Sequence, residues 1–170
     1  MHANQLGQLM KQGMRRLASG VSLLSARLSD QEPFVMTVSS VTSVSDNPPS
    51  LLVCVNKQIH RHQELIPAGF PFVINLLNST QRDISDLCAG RFEDRDRLSL
   101  GKWQDNENWL VLADAQVSFC CRTDKVLSYG THEILVGKIE KIQIHGIEVD
   151  PLIYADGQYG TFKRFSLTDQ

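Results

Sequence analysis

Hydroxyl groups crowd one short stretch of this chain. Thr37, Ser39, Ser40, Thr42, Ser43 and Ser45 all fall within Met36-Thr37-Val38-Ser39-Ser40-Val41-Thr42-Ser43-Val44-Ser45. Asp46-Asn47-Pro48-Pro49-Ser50 then reads as a sharp turn, and Leu51-Leu52-Val53-Cys54-Val55-Asn56-Lys57 as a second, apolar strand. Ser and Thr beside exposed backbone N–H groups suit a ligand that carries a phosphate and a ring edged with acceptors. The same residue types also fit any half-exposed strand, so the pattern alone leaves a purely structural role open. Further on, Ala89-Gly90 precedes Arg91-Phe92-Glu93, and His132 follows Gly130-Thr131 at the start of a strand. Arg91 and Phe92 serve equally as a solvated loop with an aromatic anchor or as a ligand contact. A lone histidine is commonly a satisfied structural residue, whereas one at a strand end can orient a ligand.

Composition narrows the classes. A chain of 170 residues is expected to form one domain, spanning 1–170, with a sizeable core. Hydrophobic content of 42% and charged content of 21% are ordinary for a globular protein. A net charge of −2 gives no long-range attraction to nucleic acid or to an anionic membrane. No run approaches the roughly 20 apolar residues of a membrane helix, and the N-terminus lacks a signal-peptide core. Cys54, Cys88, Cys120 and Cys121 form no CxxC pair, which disfavours both a disulfide framework and zinc. A reducing, cytoplasmic setting is the expectation, with neither nucleic acid nor membrane as partner.

The elements that must position these groups follow from periodicity. Leu6, Leu9, Met10, Gly13, Met14 and Leu17 recur at helical spacing opposite Lys11, Gln12, Arg15 and Arg16, predicting an amphipathic helix that ends at Ser19-Gly20. Strands are expected over 21–26, 34–39, 51–56 and 72–77, with a short helix over 59–66. Ser79 or Thr80 can cap a helix running to Cys88, with Asp83 in its first turn. Residues 90–108 read as a long, charged, irregular connection. Ala113, Ala115, Val117, Phe119 and Cys121 fall on one face of a strand, with Asp114, Gln116, Ser118 and Arg122 on the other. A second long strand is expected over 133–144, and a parity switch between Ile139 and Ile142 predicts a bulge near Glu140. Residues 151–155 and 158–162 form a hairpin around Asp156-Gly157. Many strands and few helices point to a barrel or sandwich, and no GxGxxG supports a Rossmann site.

The hydroxyl run with its Pro-Pro turn resembles the flavin reductase-like family. Asn75-Leu76-Leu77-Asn78, Ala89-Gly90-Arg91-Phe92-Glu93, Gly130-Thr131-His132 and Pro151-Leu152-Ile153-Tyr154 fit the same family in order and spacing, across about residues 17–165. The resemblance implies a mainly β fold: a split β-barrel with Greek-key connections and a few flanking helices, paired as a homodimer. It implies flavin, FMN or FAD, at the barrel edge, held by the main chain and hydroxyls of Met36, Thr37, Val38, Ser39, Ser40 and Ser43. Cys54, Val55, Asn56 and Lys57 would meet the ribityl chain and phosphate, with Cys54 as a small hydrophobe and not a thiolate. His62 matches the expected histidine, but Gln58, Ile59 and Arg61 replace hydroxyl positions, leaving Lys57 or Arg61 for the phosphate. Val35 stands where many relatives have Gly, and Thr131 where many have Asp. Arg91 and Phe92 would contact an anionic group and the ring. Tyr154 and Tyr159 flank the final turn, Tyr159 as an edge aromatic or a wall of the ligand site.

The implied activity is an NAD(P)H-dependent flavin reductase, similar to the reductase components of two-component monooxygenases. Hydride would pass from the nicotinamide of NADH or NADPH to flavin N5, with His132 beside the nicotinamide and reduced flavin passing to an oxygenase. The cofactors supply that chemistry, and the protein supplies position. Two alternatives stand beside it: a flavin-binding sensor or storage module on the same barrel, and a plain interaction barrel.

Overall fold

The computed structural model of the chain describes residues 3–92, 95–106, 108–146 and 148–165. Helix α1 spans Ala3–Met14 and is followed by strands β1 (Ser19–Gly20), β2 (Ser22–Arg27), β3 (Pro33–Val38), β4 (Thr42–Asp46) and β5 (Pro49–Asn56). A 3-10 turn at His62–Leu65 leads to β6 (Pro71–Leu76) and helix α2 (Arg82–Cys88). The remaining strands are β7 (Trp103–Asn106), β8 (Trp109–Leu112), β9 (Val117–Tyr129), β10 (His132–Ile144), β11 (Leu152–Ala155) and β12 (Gln158–Thr161).

Seven strands form one antiparallel sheet in the order β3-β2-β6-β9-β10-β5-β4. Its two edge strands, β3 and β4, are neighbours in sequence, separated only by residues 39–41. From Val38 to Thr42 the chain reaches at most about 14 Å, whereas a flat seven-stranded sheet at ~4.8 Å spacing would hold its edges about 29 Å apart. The sheet must therefore curl until β3 and β4 come together, which makes a barrel with a seam. Ser40 clasps that seam: its hydroxyl accepts from the Cys54 N–H at 3.0 Å and donates to the Cys54 carbonyl at 3.3 Å.

Alternation along the strands gives each face its own core. Leu24, Ala26, Phe34, Met36, Val38, Val53, Val55, Phe72, Ile74, Cys121 and Leu135 fill the barrel interior. Leu23 and Val35 point the other way, into a second cluster with Ile84 and Cys88 of α2, Leu110 and Leu112 of β8, and Leu152 of β11. The adjacent Cys120 and Cys121 part company in the same manner, Cys120 packing with Val73, Trp109 and Val111. Gly137 lets β10 approach the interior; a Cβ there would stand 2.5 Å from Phe72 Cζ.

The fully buried Asn75 ties three strands together. Its Nδ2 donates to the Leu23 carbonyl at 3.3 Å and to Ser25 Oγ at 2.9 Å, and its Oδ1 accepts from the Leu112 N–H at 3.0 Å and Ser118 Oγ at 2.9 Å. Ser25 Oγ in turn donates to the Leu110 carbonyl at 2.6 Å. This network buries Ser118, which the alternation places with Asp114, Gln116 and Arg122 on the face opposite Phe119 and Cys121.

Other expectations shift for physical reasons. The 3.6-residue rhythm extends past Met14, but α1 stops there and residues 15–17 continue only as turns. Neither Ser79 nor Thr80 caps α2: Gln81 holds the N-cap position without a side-chain cap, because Ser79 bonds to Asp150 and Thr80 to Asn78 Oδ1. The connection over 90–108 holds β7 and is followed by β8, a hairpin whose WLVL run is too short to show a period. The strand expected from Ala113 begins at Val117 and continues to Tyr129. The bulge at Glu140 is present, with the register shifting between Ile139 and Lys141. The β11–β12 hairpin turns at Asp156-Gly157, both at positive φ (49° and 79°), as a two-residue turn requires. Among the described residues no helix is long and apolar enough to cross a membrane.

Candidate functional site at the barrel seam

The seam leaves something unused. Ser39, Ser40 and Val41 lie between two edge strands, and no backbone partner for their N–H groups is found among the described residues. Beside them lies a cavity of about 220 Å³, lined by Val21, Thr37, Val38, Ser39, Ser85, Ala89, Arg91, Tyr154 and Tyr159. Its walls are mainly aliphatic and aromatic, with donors at the edge. A flat ring with an acceptor-bearing rim is the ligand shape these groups suit.

The hydroxyl run divides into groups that hold the chain and groups that face outward. Thr37 Oγ1 donates to the Ser85 carbonyl at 2.7 Å, pinning β3 to α2, and Ser40 is committed to Cys54. Ser39 is exposed at the cavity, and Ser43 is exposed on β4. Met36, Val38 and Val55 are buried in the barrel core, so any ligand contact from them is through the main chain.

One wall is a polar cluster in which Tyr159 and Arg91, both expected from the sequence, meet Ser85 and Asp86, which were not. The Tyr159 hydroxyl donates to Asp86 Oδ1 at 2.8 Å and lies 3.0 Å from Ser85 Oγ. Arg91 Nη1 meets the same Asp86 oxygen at 2.9 Å, and the Arg82 guanidinium sits 5.5 Å from the centre of the Tyr159 ring. Tyr154 packs edge-on against Tyr159 at 5.1 Å. Burial pushes the Tyr159 hydroxyl above its ordinary pKa, and the Asp86 charge adds to that while Ser85 opposes it. Ser85, Asp86, Val21, Ala89 and Tyr154 were absent from the sequence-derived site. Ser85 and Asp86 join it only because α2 lies across β3 and beneath β12, a juxtaposition no short-range period encodes.

The other arm of the seam runs along β5 to the β9–β10 turn. Cys54 and Asn56 pair with Ile134 and His132 of β10. His132 Nδ1 is 2.9 Å from the Thr131 hydroxyl, and the half-buried ring stands at the head of the strand. Lys57 Nζ is drawn into this turn, donating to Ser128 Oγ at 2.5 Å and to the Gly130 carbonyl at 3.0 Å, with Glu133 at 3.8 Å. Asn56 Oδ1 accepts from the Gln58 N–H at 2.9 Å, closing the turn after β5.

Arg61 and His62 face elsewhere. The Arg61 guanidinium is bound by Asp30 at 2.8 Å and Glu64 at 2.5 Å; it holds the Glu64 carboxyl below its usual range, with help from Ser29. His62 is buried, with Nδ1 3.0 Å from the Ile59 carbonyl. Phe92 lies half exposed under Arg95, 5.2 Å from its guanidinium, and Glu93 falls outside the described residues. Burial pushes the Cys88 thiol up to about 12 and raises that of Cys121 as well, the opposite of what an activated thiolate needs. Among the described residues no cluster of His, Cys, Asp and Glu could hold a metal ion.

Residues 14–163 match the family described as the Flavin reductase like domain. The reductase component of the FADH(2)-dependent resorcinol hydroxylase of Rhizobium sp. (strain MTP-10005) is 35% identical over 156 residues, covering 91% of this chain and 86% of that protein. An FMN reductase (NADH) of Methylorubrum extorquens (strain PA1) is 34% identical over 155 residues, covering 91% of this chain and 75% of its own length. In three dimensions the chain is similar to an NADH:FAD oxidoreductase of Streptomyces globisporus C-1027, solved with NAD and FAD fragments, at a TM-score of 0.82. That alignment covers 100% of this chain and 99% of the other at 22% identity, a likeness of fold.

Proposed function

The chain belongs to the Flavin reductase like domain family, and on that premise we propose that it is the reductase component of a two-component flavin-dependent monooxygenase. It is an NAD(P)H-dependent flavin reductase that supplies reduced FMN or FAD to a partner oxygenase, in keeping with the activities named for its relatives. The observation that supports this most directly is the seam itself, where the backbone donors at 39–41 have no backbone partner among the described residues and the first of them, Ser39, borders a cavity of aromatic and aliphatic walls. That donor set fits a flavin, whose ring carries its acceptors along one edge.

Flavin, when bound, supplies the N5 position that accepts hydride from nicotinamide C4. The chain's own residues have the simpler duties of holding and excluding. Main-chain N–H groups at 39–41 grip the acceptor edge without a solvent-exposed side chain that must first be ordered. Tyr154 and Tyr159 close one wall to water, while the outer side of the cavity stays open for a dinucleotide. His132 orients the nicotinamide or stabilises negative charge, with its ring steadied by Thr131. Holding two rings at about 3–3.5 Å in alignment can remove several kcal/mol of barrier without any protein nucleophile.

We further infer a homodimer, because Leu6, Leu9, Met10 and Met14 of α1 turn an apolar face outward, each 47–60% exposed. A cytoplasmic setting fits the four free thiols. Mixing the protein with FMN or FAD and adding NADH or NADPH without oxygen tests the reading. Rapid bleaching of the flavin yellow is expected. Binding without bleaching would leave a flavin-holding module, and neither would leave a plain barrel domain.

A further inference from the structure

Asp86 lies at the centre of the Tyr159–Arg91 wall, and its surroundings are those of a holding group. Its side chain is only 14% exposed, a costly place for a carboxylate unless its charge is matched. The match comes from Arg91 at 2.9 Å, Tyr159 at 2.8 Å and, more loosely, Arg82 at 3.7 Å. Arg91 and Tyr159 converge on one oxygen, Oδ1, so the carboxylate fixes the two side chains relative to each other. It also fixes proton direction. The single Tyr159 proton goes to Asp86, which leaves Ser85 Oγ to donate to the Tyr159 oxygen at 3.0 Å. Arg91 itself is 52% exposed at the cavity, with donor nitrogens beyond the one spent on Asp86. The cations expected to meet a phosphate are engaged elsewhere: Arg61 with Asp30 and Glu64, and Lys57 with the β9–β10 turn. Among the described residues, Arg91 is the cation that lines this cavity.

We propose that Asp86 is a positioning residue that holds Arg91 at the seam so that Arg91, in place of Lys57 or Arg61, takes the phosphate of the flavin nucleotide. This rests on the flavin-reductase reading and adds to it the anchor for the anion. A flexible arginine must be ordered before it can grip a phosphate, and the Asp86 contact orders it in advance. Asp86 touches neither reacting atom, so its removal acts on flavin affinity and leaves the hydride step in place.

The test is a double-mutant cycle on the full chain, with Asp86→Asn, Arg91→Gln and the pair. Each is titrated with FMN and with riboflavin and then assayed with saturating NADH. Each single substitution is expected to weaken FMN about tenfold, the scale of one charge-assisted contact, and riboflavin less than about twofold. The flavin KM should rise with kcat within about twofold, and the double variant should be no weaker than Arg91→Gln alone. Additive losses, equal losses for riboflavin, or tighter FMN binding in Asp86→Asn would each overturn the assignment. Should Asp86→Asn fail to fold, Arg91→Gln alone decides: unchanged FMN affinity sinks the proposal. If the wild-type chain neither binds nor reduces FMN, the flavin reading itself falls. If it does both while the cycle is additive, only the Asp86 assignment falls.

Discussion

Two polar regions of this barrel are built from the same residue types and end in opposite conditions. Around Asn75, the amide, the hydroxyls of Ser25 and Ser118, and the main chain of Leu23, Leu110 and Leu112 are satisfied by one another in full burial. At the seam, Thr37 and Ser40 are likewise spent on Ser85 and Cys54, but the backbone donors at 39–41 beside them are left over. The first region offers a ligand nothing to bind, because its side chains are fully buried and bonded to one another. The second can, because a sheet that closes through a three-residue link leaves two edges that cannot pair with each other. Saturation makes Asn75 a structural device, and incomplete saturation makes the seam the candidate binding site.

That contrast can be broken at several points. Asn75→Ala should have the largest effect, since it orphans the buried Leu112 N–H and removes the partners of Ser25 and Ser118. A loss of about 3 kcal/mol or more is expected, lowering the thermal midpoint by on the order of 10 °C. Flavin affinity of the protein that remains folded should be unchanged; a selective flavin defect with normal melting would dissolve the distinction between the regions. Next in size, His132→Ala should cut NAD(P)H oxidation by about 10- to 100-fold while flavin affinity moves less than about threefold. Unchanged turnover in a folded variant would remove His132 from the mechanism. Ser40→Ala sharpens the comparison from the other side. It should cost about 1 kcal/mol in melting and weaken flavin several-fold, because the Cys54 clasp both closes the barrel and sets the donors beside it. A loss of stability with flavin titration curves that superimpose would show that the clasp serves the fold alone.

Much of this organisation is legible along the chain. Short apolar runs bounded by turns announce β2, β3, β5 and β6, the parity switch near Ile139 announces the Glu140 bulge, and Asp156-Gly157 announces the last hairpin. The β7–β8 hairpin is hidden, because its strands are only four residues each and stand in and just beyond a charged, irregular stretch. The burial of Ser118 is not legible, because a buried hydroxyl looks like an exposed one until its partner Asn75 arrives from another strand. Arg61 and Lys57 looked free for a phosphate because their carboxylate and carbonyl partners, Asp30 at a distant turn and Gly130 across the β9–β10 hairpin, are remote in sequence.

By itself, then, the order of residues determined where most strands form, where the chain must turn, and which stretch carries the hydroxyl run beside the seam. Those properties depend on side-chain type and on neighbours within a few positions. Only the tertiary structure decided which hydroxyls are consumed by the fold, which cation stands at the cavity, and that Ser85 and Asp86 join Tyr159 from 73–74 residues away. Hydrogen bonds and ion pairs of that kind form when the curled sheet brings remote edges together, and a linear pattern contains no measure of that distance.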